Sequence, residues 1–203
     1  RLIAGARIER FEQQVNTFDP FGLFLRQVSA ENKNTDLFPA INFVRAMQGN
    51  SNLRLSYGST VNRPEFRELA EFEFTDVVGS RAVKGNKDLK RALIHNLDGR
   101  WEMFRGSRGI VAASIFYKYF DKPIERVVLA SATPLATFQN SDRARNTGLE
   151  IEVAQDLGRH FFVNANYTFV DSKITLLPNQ LATQTSLERA LAGQSKNLFN
   201  MTF

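Results

Sequence analysis

Few residues in this chain have the type and spacing for covalent chemistry. Glu150 and Glu152 stand two apart in the run NTGLEIEV, which on an extended strand sets them ~6.5–7 Å apart on one face. That separation suits a general acid and a general base, and it equally suits the solvated wall of a wet lumen. His95 and His160 are the two histidines, and neither has a second metal ligand nearby in sequence. With no cysteine, thiolate metal sites and disulfides are excluded. The serines do not fall in a nucleophile-elbow pattern, and GNKDLK lacks the spacing of a phosphate-cradling glycine loop. These patterns predict neither an enzyme nor a cofactor.

Residues 63–91 hold the densest recognition chemistry. The half RPEFRELAEFEF interleaves Arg63, Glu65, Arg67 and Glu68 with Phe66, Phe72 and Phe74. The half RAVKGNKDLKR concentrates Arg81, Lys84, Lys87, Lys90 and Arg91. An anionic solute would be drawn to such a segment and gripped by bidentate arginine contacts, with rings shielding them from water. Arg63, Phe66, Arg67, Lys84 and Lys87 are the candidate ligand-binding residues. The same charges could instead pair with one another and fold the segment down.

The elements that position these groups read as strands, because period-two alternation recurs while helical periodicity is weak. Leu2, Ala4, Ala6 and Ile8 alternate with Ile3, Gly5, Arg7 and Glu9. Leu53, Leu55 and Tyr57 oppose Arg54, Ser56 and Gly58, and Leu97, Trp101 and Met103 oppose Asn96, Asp98 and Arg100. Val111, Ala113, Ile115, Tyr117 and Tyr119 share one face, as do Leu149, Ile151 and Val153. With a weaker strand near 41–47 and a last one at 197–203, about eight strands are expected. Tight connections (MQGNSN, FRGSRG, DLGRH) alternate with long ones at roughly 19–36, 63–91, 121–142 and 175–195. In an up-and-down sheet, all tight turns then fall at one end and all long loops at the other, the layout of a transmembrane β-barrel with short periplasmic turns and long extracellular loops.

The stretch RHFFVNANYTFVDSKI shows what each face would meet. Phe161, Val163, Ala165, Tyr167 and Phe169 share a face, with aromatics at the ends and small aliphatics between. Tyr167 and Phe169 lie ~20–27 Å along the strand from Phe161, matching the apolar band of a barrel with aromatic girdles at both interfaces. Trp101, Tyr117, Tyr119, Phe161, Tyr167 and Phe169 are the expected lipid-facing girdle, and the amide face would line a wet interior.

Composition is compatible. Among 203 residues, 43% are hydrophobic and 23% charged, with 18 Phe against 3 Met and 1 Trp. A mean hydropathy of -0.28 and the lack of any apolar run of ~18 residues exclude a transmembrane helix but leave barrel strands open. The net charge of +5 favours anionic partners, yet the basic residues lie mostly away from the aromatic band, so nucleic acid is not expected. No signal peptide opens the chain, since RLIAGARIER reads as mid-strand.

The run LFPAINFVRAMQGNSNLRLSYGSTVNRPEFRELAEFEF resembles the barrel of TonB-dependent outer-membrane receptors, as do KGNKDLKRALIHNLDGRWEMF, ARNTGLEIEVAQDLGRHFFVNANYTFVDSKI and AGQSKNLFN. The most specific pieces are NRPEFREL, GNKDLK and NANYTFVDSK. Arg91 departs from the family, which commonly has Pro after DLK. The resemblance implies that residues 1–203 form part of one all-β, antiparallel barrel of ~22 strands, with the plug domain and the remaining strands outside the chain. It further implies outer-membrane location and TonB-driven uptake of a ferric siderophore, cobalamin or glycan. The implied partners are the plug, the TonB complex, membrane lipid and lipopolysaccharide, whose phosphates could also attract the basic run. A self-contained barrel of ~8 strands acting as pore or anchor, and a soluble β-rich binding module, are the competing readings.

Overall fold

The computed structural model describes residues 1–18, 27–75, 81–106, 108–129, 135–158, 160–178 and 186–203. In chain order the elements are β1 (Leu2–Phe18), β2 (Gln27–Met47), β3 (Ser51–Asn62), α1 (Phe66–Leu69), β4 (Glu73–Phe74), β5 (Val83–Lys84), β6 (Ala92–Arg105) and β7 (Gly109–Asp121). They continue with β8 (Ile124–Leu129), β9 (Leu135–Asn140), β10 (Arg143–Leu157), β11 (Phe161–Thr175), β12 (Glu188–Arg189) and β13 (Asn197–Thr202).

The long strands form one antiparallel sheet in the order β1-β2-β3-β6-β7-β10-β11, with β12 and β13 both pairing β11. It is an up-and-down strip that does not close on itself among the described residues. The cross-strand rows explain the alternation. Leu55, Gly99, Ile115, Leu149 and Phe169 fall in one lateral row, and Tyr57, Leu97, Tyr117 and Thr147 in the row two residues toward the loops. Along β10, Leu149, Ile151 and Val153 are exposed on this face, whereas Ala144, Gly148 and Ala154 on the opposite face are buried. A soluble sheet buries its large apolar face, and this one presents it outward, while the opposite face of β10 carries only polar and small residues.

The long connections are more ordered than the sequence suggests. Residues 27–36, expected in a loop, belong to β2 and pair with residues 9–18 of β1. This extension is polar on its outward face and mixes Val15, Val28 and Ala30 with polar residues on its inward face, so the outward apolar alternation that marks the lower strand vanishes while the ladder bonds continue. Residues 63–91 and 121–142, also expected as loops, contribute a second sheet, β4-β5-β9-β8, in which β5 and β9 run parallel. The 175–195 segment adds β12 to β11. The second sheet packs inward: Leu69 and Leu89 are buried against Ala30 of β2, with Val15, Ile124 and Phe138 around them. No helix among the described residues is long and apolar enough to cross a membrane, so any crossing is by strands.

Candidate functional site

Inside the strip, charged residues from three strands join into a ladder, with a serine from a fourth. Arg54 of β3 donates to Glu102 of β6 at 2.6 Å. Arg100 donates to Glu102 at 3.1 Å, to Glu152 of β10 at 2.8 Å and to Ser114 of β7 at 3.3 Å. The Glu102 side chain is only 6% exposed, so its two arginines supply the compensation that burial of a carboxylate requires. Glu152 is thereby bound to Arg100, and the acid–base reading of Glu150 with Glu152 loses a free partner. Sequence reading missed this ladder, because only register shows that positions 54, 100, 102 and 152 converge. Among the described residues, no three His, Cys, Asp or Glu side chains gather in a metal-holding group.

The motif NRPEFREL builds the start of the loop layer. Arg63 reaches Glu9 of β1 at 2.5 Å and lies 4.2 Å over the Phe11 ring, its side chain only 18% exposed. Gln13 donates to the Pro64 carbonyl at 3.1 Å. A capping box joins Glu65 and Glu68, with the Glu65 amide donating to the Glu68 carboxylate at 2.9 Å, and α1 then directs Leu69 into the core. Burial pushes the Glu68 carboxyl above the usual carboxylate range.

GNKDLK closes the layer. A Cβ on Gly85 would sit 2.1 Å from the Ala70 carbonyl oxygen, so only glycine allows this approach to α1. Asn86 donates to the Phe138 carbonyl at 2.9 Å, Asn140 brackets Lys90 through its amide and carbonyl at 2.8 Å each, and Leu89 is buried. Arg91, standing where the family commonly has Pro, donates to Asp36 at 2.9 Å and to Asn34 at 2.6 Å on β2. The motif is therefore a structural clip.

Of the five ligand candidates, Arg63 thus holds the layer to β1. Phe66 is 65% exposed, and Arg67 is exposed with its guanidinium 4.2 Å over the Phe74 ring. Lys84 lies 3.8 Å from Glu71, and Lys87 donates to Asp88 at 2.8 Å. Phe66, Arg67, Lys84 and Lys87 all belong to the α1–β5 region of the loop layer.

The six candidate girdle residues all lie on the outward face of the strip. Phe161 is 70% exposed beside the tight turn, and Tyr167 donates to Asn197 at 2.7 Å. Lys196 places its ammonium 5.6 Å from the Phe169 ring. Tyr119 lies beside His95, with ring centres 6.3 Å apart, and His95 is 2.9 Å from the Tyr57 hydroxyl. Tyr57 and His95 thus extend the loop-end aromatic group around Tyr117 and Tyr119. Trp101, expected near the turns, and Tyr167, expected near the loops, lie in one lateral row through Ala113 and Ile151.

The family model described as "TonB dependent receptor-like, beta-barrel" matches residues 1–203. Among solved structures, the fold is similar to a double mutant of the Serratia marcescens hemophore receptor HasR in complex with its hemophore HasA and heme. That match has a TM-score of 0.66 and 16% identity over 98% of this chain and 36% of the other. The siderophore receptor PirA from Pseudomonas aeruginosa gives 0.60 and 12% identity over 86% of this chain and 36% of the other. PirA from Acinetobacter baumannii gives 0.58 and 13% identity over 86% and 27%. No curated relative matches the sequence. The chain spans 36% of the length of the first two of these structures. Since the family match runs from the first residue to the last, and the strip of strands with its inverted faces agrees with it, the chain belongs to the TonB-dependent receptor β-barrel family.

Proposed function

We propose that this chain is part of the single β-barrel domain of an outer-membrane receptor that takes up a ferric chelate through the TonB system. The family is one of outer-membrane transporters and not of enzymes, and no covalent step is assigned. In the whole receptor a plug domain would gate the lumen, and the inner-membrane TonB complex would supply the energy. The observation that carries this reading is the family match over residues 1–203. The siderophore and hemophore receptors among the similar folds favour an iron-carrying solute over cobalamin or a glycan.

In this reading Arg67, Lys84 and Lys87 attract the anionic chelate, Phe66 covers it, and Arg63 anchors the layer from which they reach. Arg67→Ala with Lys84→Ala in the full-length receptor should weaken binding of the preferred chelate about 10- to 100-fold, given that hydrogen bonds to charged groups contribute ~1.5–3 kcal/mol. Calorimetric titration with ferric catecholate, ferric hydroxamate and haem identifies that chelate. Unchanged affinity in the double variant sinks the assignment of these residues, and no binding of any of the three sinks the iron reading.

A further inference from the structure

Both ends of residues 63–91 come down on one spot of the barrel wall. Glu9 of β1 and Asp36 of β2 are direct cross-strand partners on the inward face. Arg63, at the start of the segment, reaches Glu9 at 2.5 Å. Arg91, at its end, donates through Nε to Asp36 at 2.9 Å and through Nη1 to Asn34 at 2.6 Å. Directly opposed side chains start ~4.5–5.5 Å apart, and two carboxylates so placed repel each other. The Asp36 side chain is 5% exposed, and its Oδ2 is buried with no hydrogen-bond partner among the described residues. Arg91 is therefore the compensation that this buried charge has, and its loss leaves Asp36 facing Glu9. Arg7 adds a contact to Glu9 at 3.1 Å from the solvent side, its side chain 66% exposed. Arg91 stands where the family commonly has Pro, which has no side chain able to reach Asp36, so this arm is particular to this chain.

The segment between the two arms carries Phe66, Arg67, Lys84 and Lys87. Its other footings are of two kinds. Leu69 and Leu89 pack against Ala30 of β2, and on the far side Val83 and Lys84 pair with β9 while Asn86 donates to the Phe138 carbonyl. Apolar contact is non-directional and fixes depth more than angle. A guanidinium fork on a carboxylate fixes both, and here one fork stands at each end.

We propose that Glu9 and Asp36 are the seat of a two-armed clasp, and that Asp36 and Arg91 are positioning residues whose pairing holds Arg67, Lys84 and Lys87 in the pose that captures the solute. The proposal rests on the reading of residues 63–91 as the capture segment. A segment held at both ends is pre-organised. One released at either end occupies the competent pose only part of the time, and its apparent affinity falls by that fraction.

The test uses the full-length receptor and reads three quantities: calorimetric affinity for ferric catecholate, ferric hydroxamate and haem, backbone hydrogen exchange, and heat-dependent migration. Arg91→Gln should weaken binding of the preferred chelate about 10-fold, as for a competent population of about one tenth. Amides of residues 66–74 and 83–89 should exchange faster by a similar factor, with exchange in β10 and β11 and heat-dependent migration unchanged. Arg91→Lys should recover only part of the affinity, because one ammonium cannot hold Asp36 and Asn34 together as a fork does. Arg63→Gln with Arg91→Gln should lose little more than either alone, since release of one end already frees the pose. Lys33→Gln, an equal charge loss on the outward face of β2, should change none of the three. Should Arg91→Gln misfold by stranding Asp36, Asp36→Asn/Arg91→Gln carries the same comparison without the buried charge. Wild-type exchange in Arg91→Gln, or losses at the two arms that simply multiply, overturns the clasp. Weaker binding with residues 63–91 as protected as in the wild type overturns it too. A wild type that binds none of the three chelates sinks the capture reading and takes the positioning role with it, whereas unaltered exchange in Arg91→Gln beside a wild type that binds its chelate sinks the clasp alone.

Discussion

Ile115→Arg is expected to destabilise the barrel by about 1–2 kcal/mol when the full-length protein is folded in a bilayer, because it lies one row inside Tyr117, between the midplane, where the cost is ~2–4 kcal/mol, and the interface, where it is ~0–1 kcal/mol. Ile115 lies in the middle of β7 and is 64% exposed on the outward face. In a soluble sheet, a substitution at so exposed a position would change stability by ~0.5 kcal/mol or less. In a barrel, the same exposure is contact with hydrocarbon, and the guanidinium must leave water to occupy it. The control lies on the opposite face: Thr168→Arg, paired across the ladder with Glu150, should cost little because its side is wet. Urea unfolding in lipid vesicles reads both. A small effect at 115 with a large one at 168 would reverse the assignment of faces.

Gly148→Val is expected to cost about 3 kcal/mol through overpacking and to leave much of the chain unfolded. A Cβ at this position would come within 2.2 Å of the Phe116 ring and 2.7 Å of the Phe169 carbonyl oxygen. Phe116 projects inward from β7, directly beside Gly148 of β10, so its ring occupies the space a side chain would need. Adding Phe116→Ala should recover part of the loss, because it removes the ring contacts. The recovery should stay incomplete, because the Phe169 oxygen is backbone and cannot rotate away. The folded fraction of each variant, read from heat-dependent migration in detergent gels, checks the order wild type, double variant, Gly148→Val. Equal folding of Gly148→Val and wild type would show that β7 and β10 pack differently from the description here.

The outward faces were legible in the sequence because each membrane strand meets two different solvents, and alternation is what remains of that contact. Ile115 and Tyr117 against Ser114 and Phe116, or Leu149 and Ile151 against Gly148 and Glu150, needed no knowledge of neighbours. Features that depend on register were hidden. Arg54, Arg100 and Glu102 come from two strands, and nothing in either run announces that they share a ladder with Glu152. The upper halves of β1 and β2 were hidden for another reason: on the outward face, pairs such as Glu12 with Lys33 and Asn16 with Ser29 are polar, and the inward face mixes Val15, Val28 and Ala30 with polar residues, so hydrogen bonding persists without an outward apolar stripe. The loop layer was partly legible. NRPEFREL and GNKDLK stood out as motifs, and of the two uses the sequence left open for Arg63, anion capture or ion pairing that folds the segment down, the structure shows the pairing, with Glu9 and the Phe11 ring as partners that only register reveals.

The most direct measurement places a fluorescent label, one at a time, at positions 113 to 117 of β7 in the full-length receptor, reconstituted with lipids that carry a quencher in their acyl chains. The account predicts strong quenching at 113, 115 and 117 and weak quenching at 114 and 116. Uniform quenching along the five positions, or protection of 115 from lipid, would contradict it.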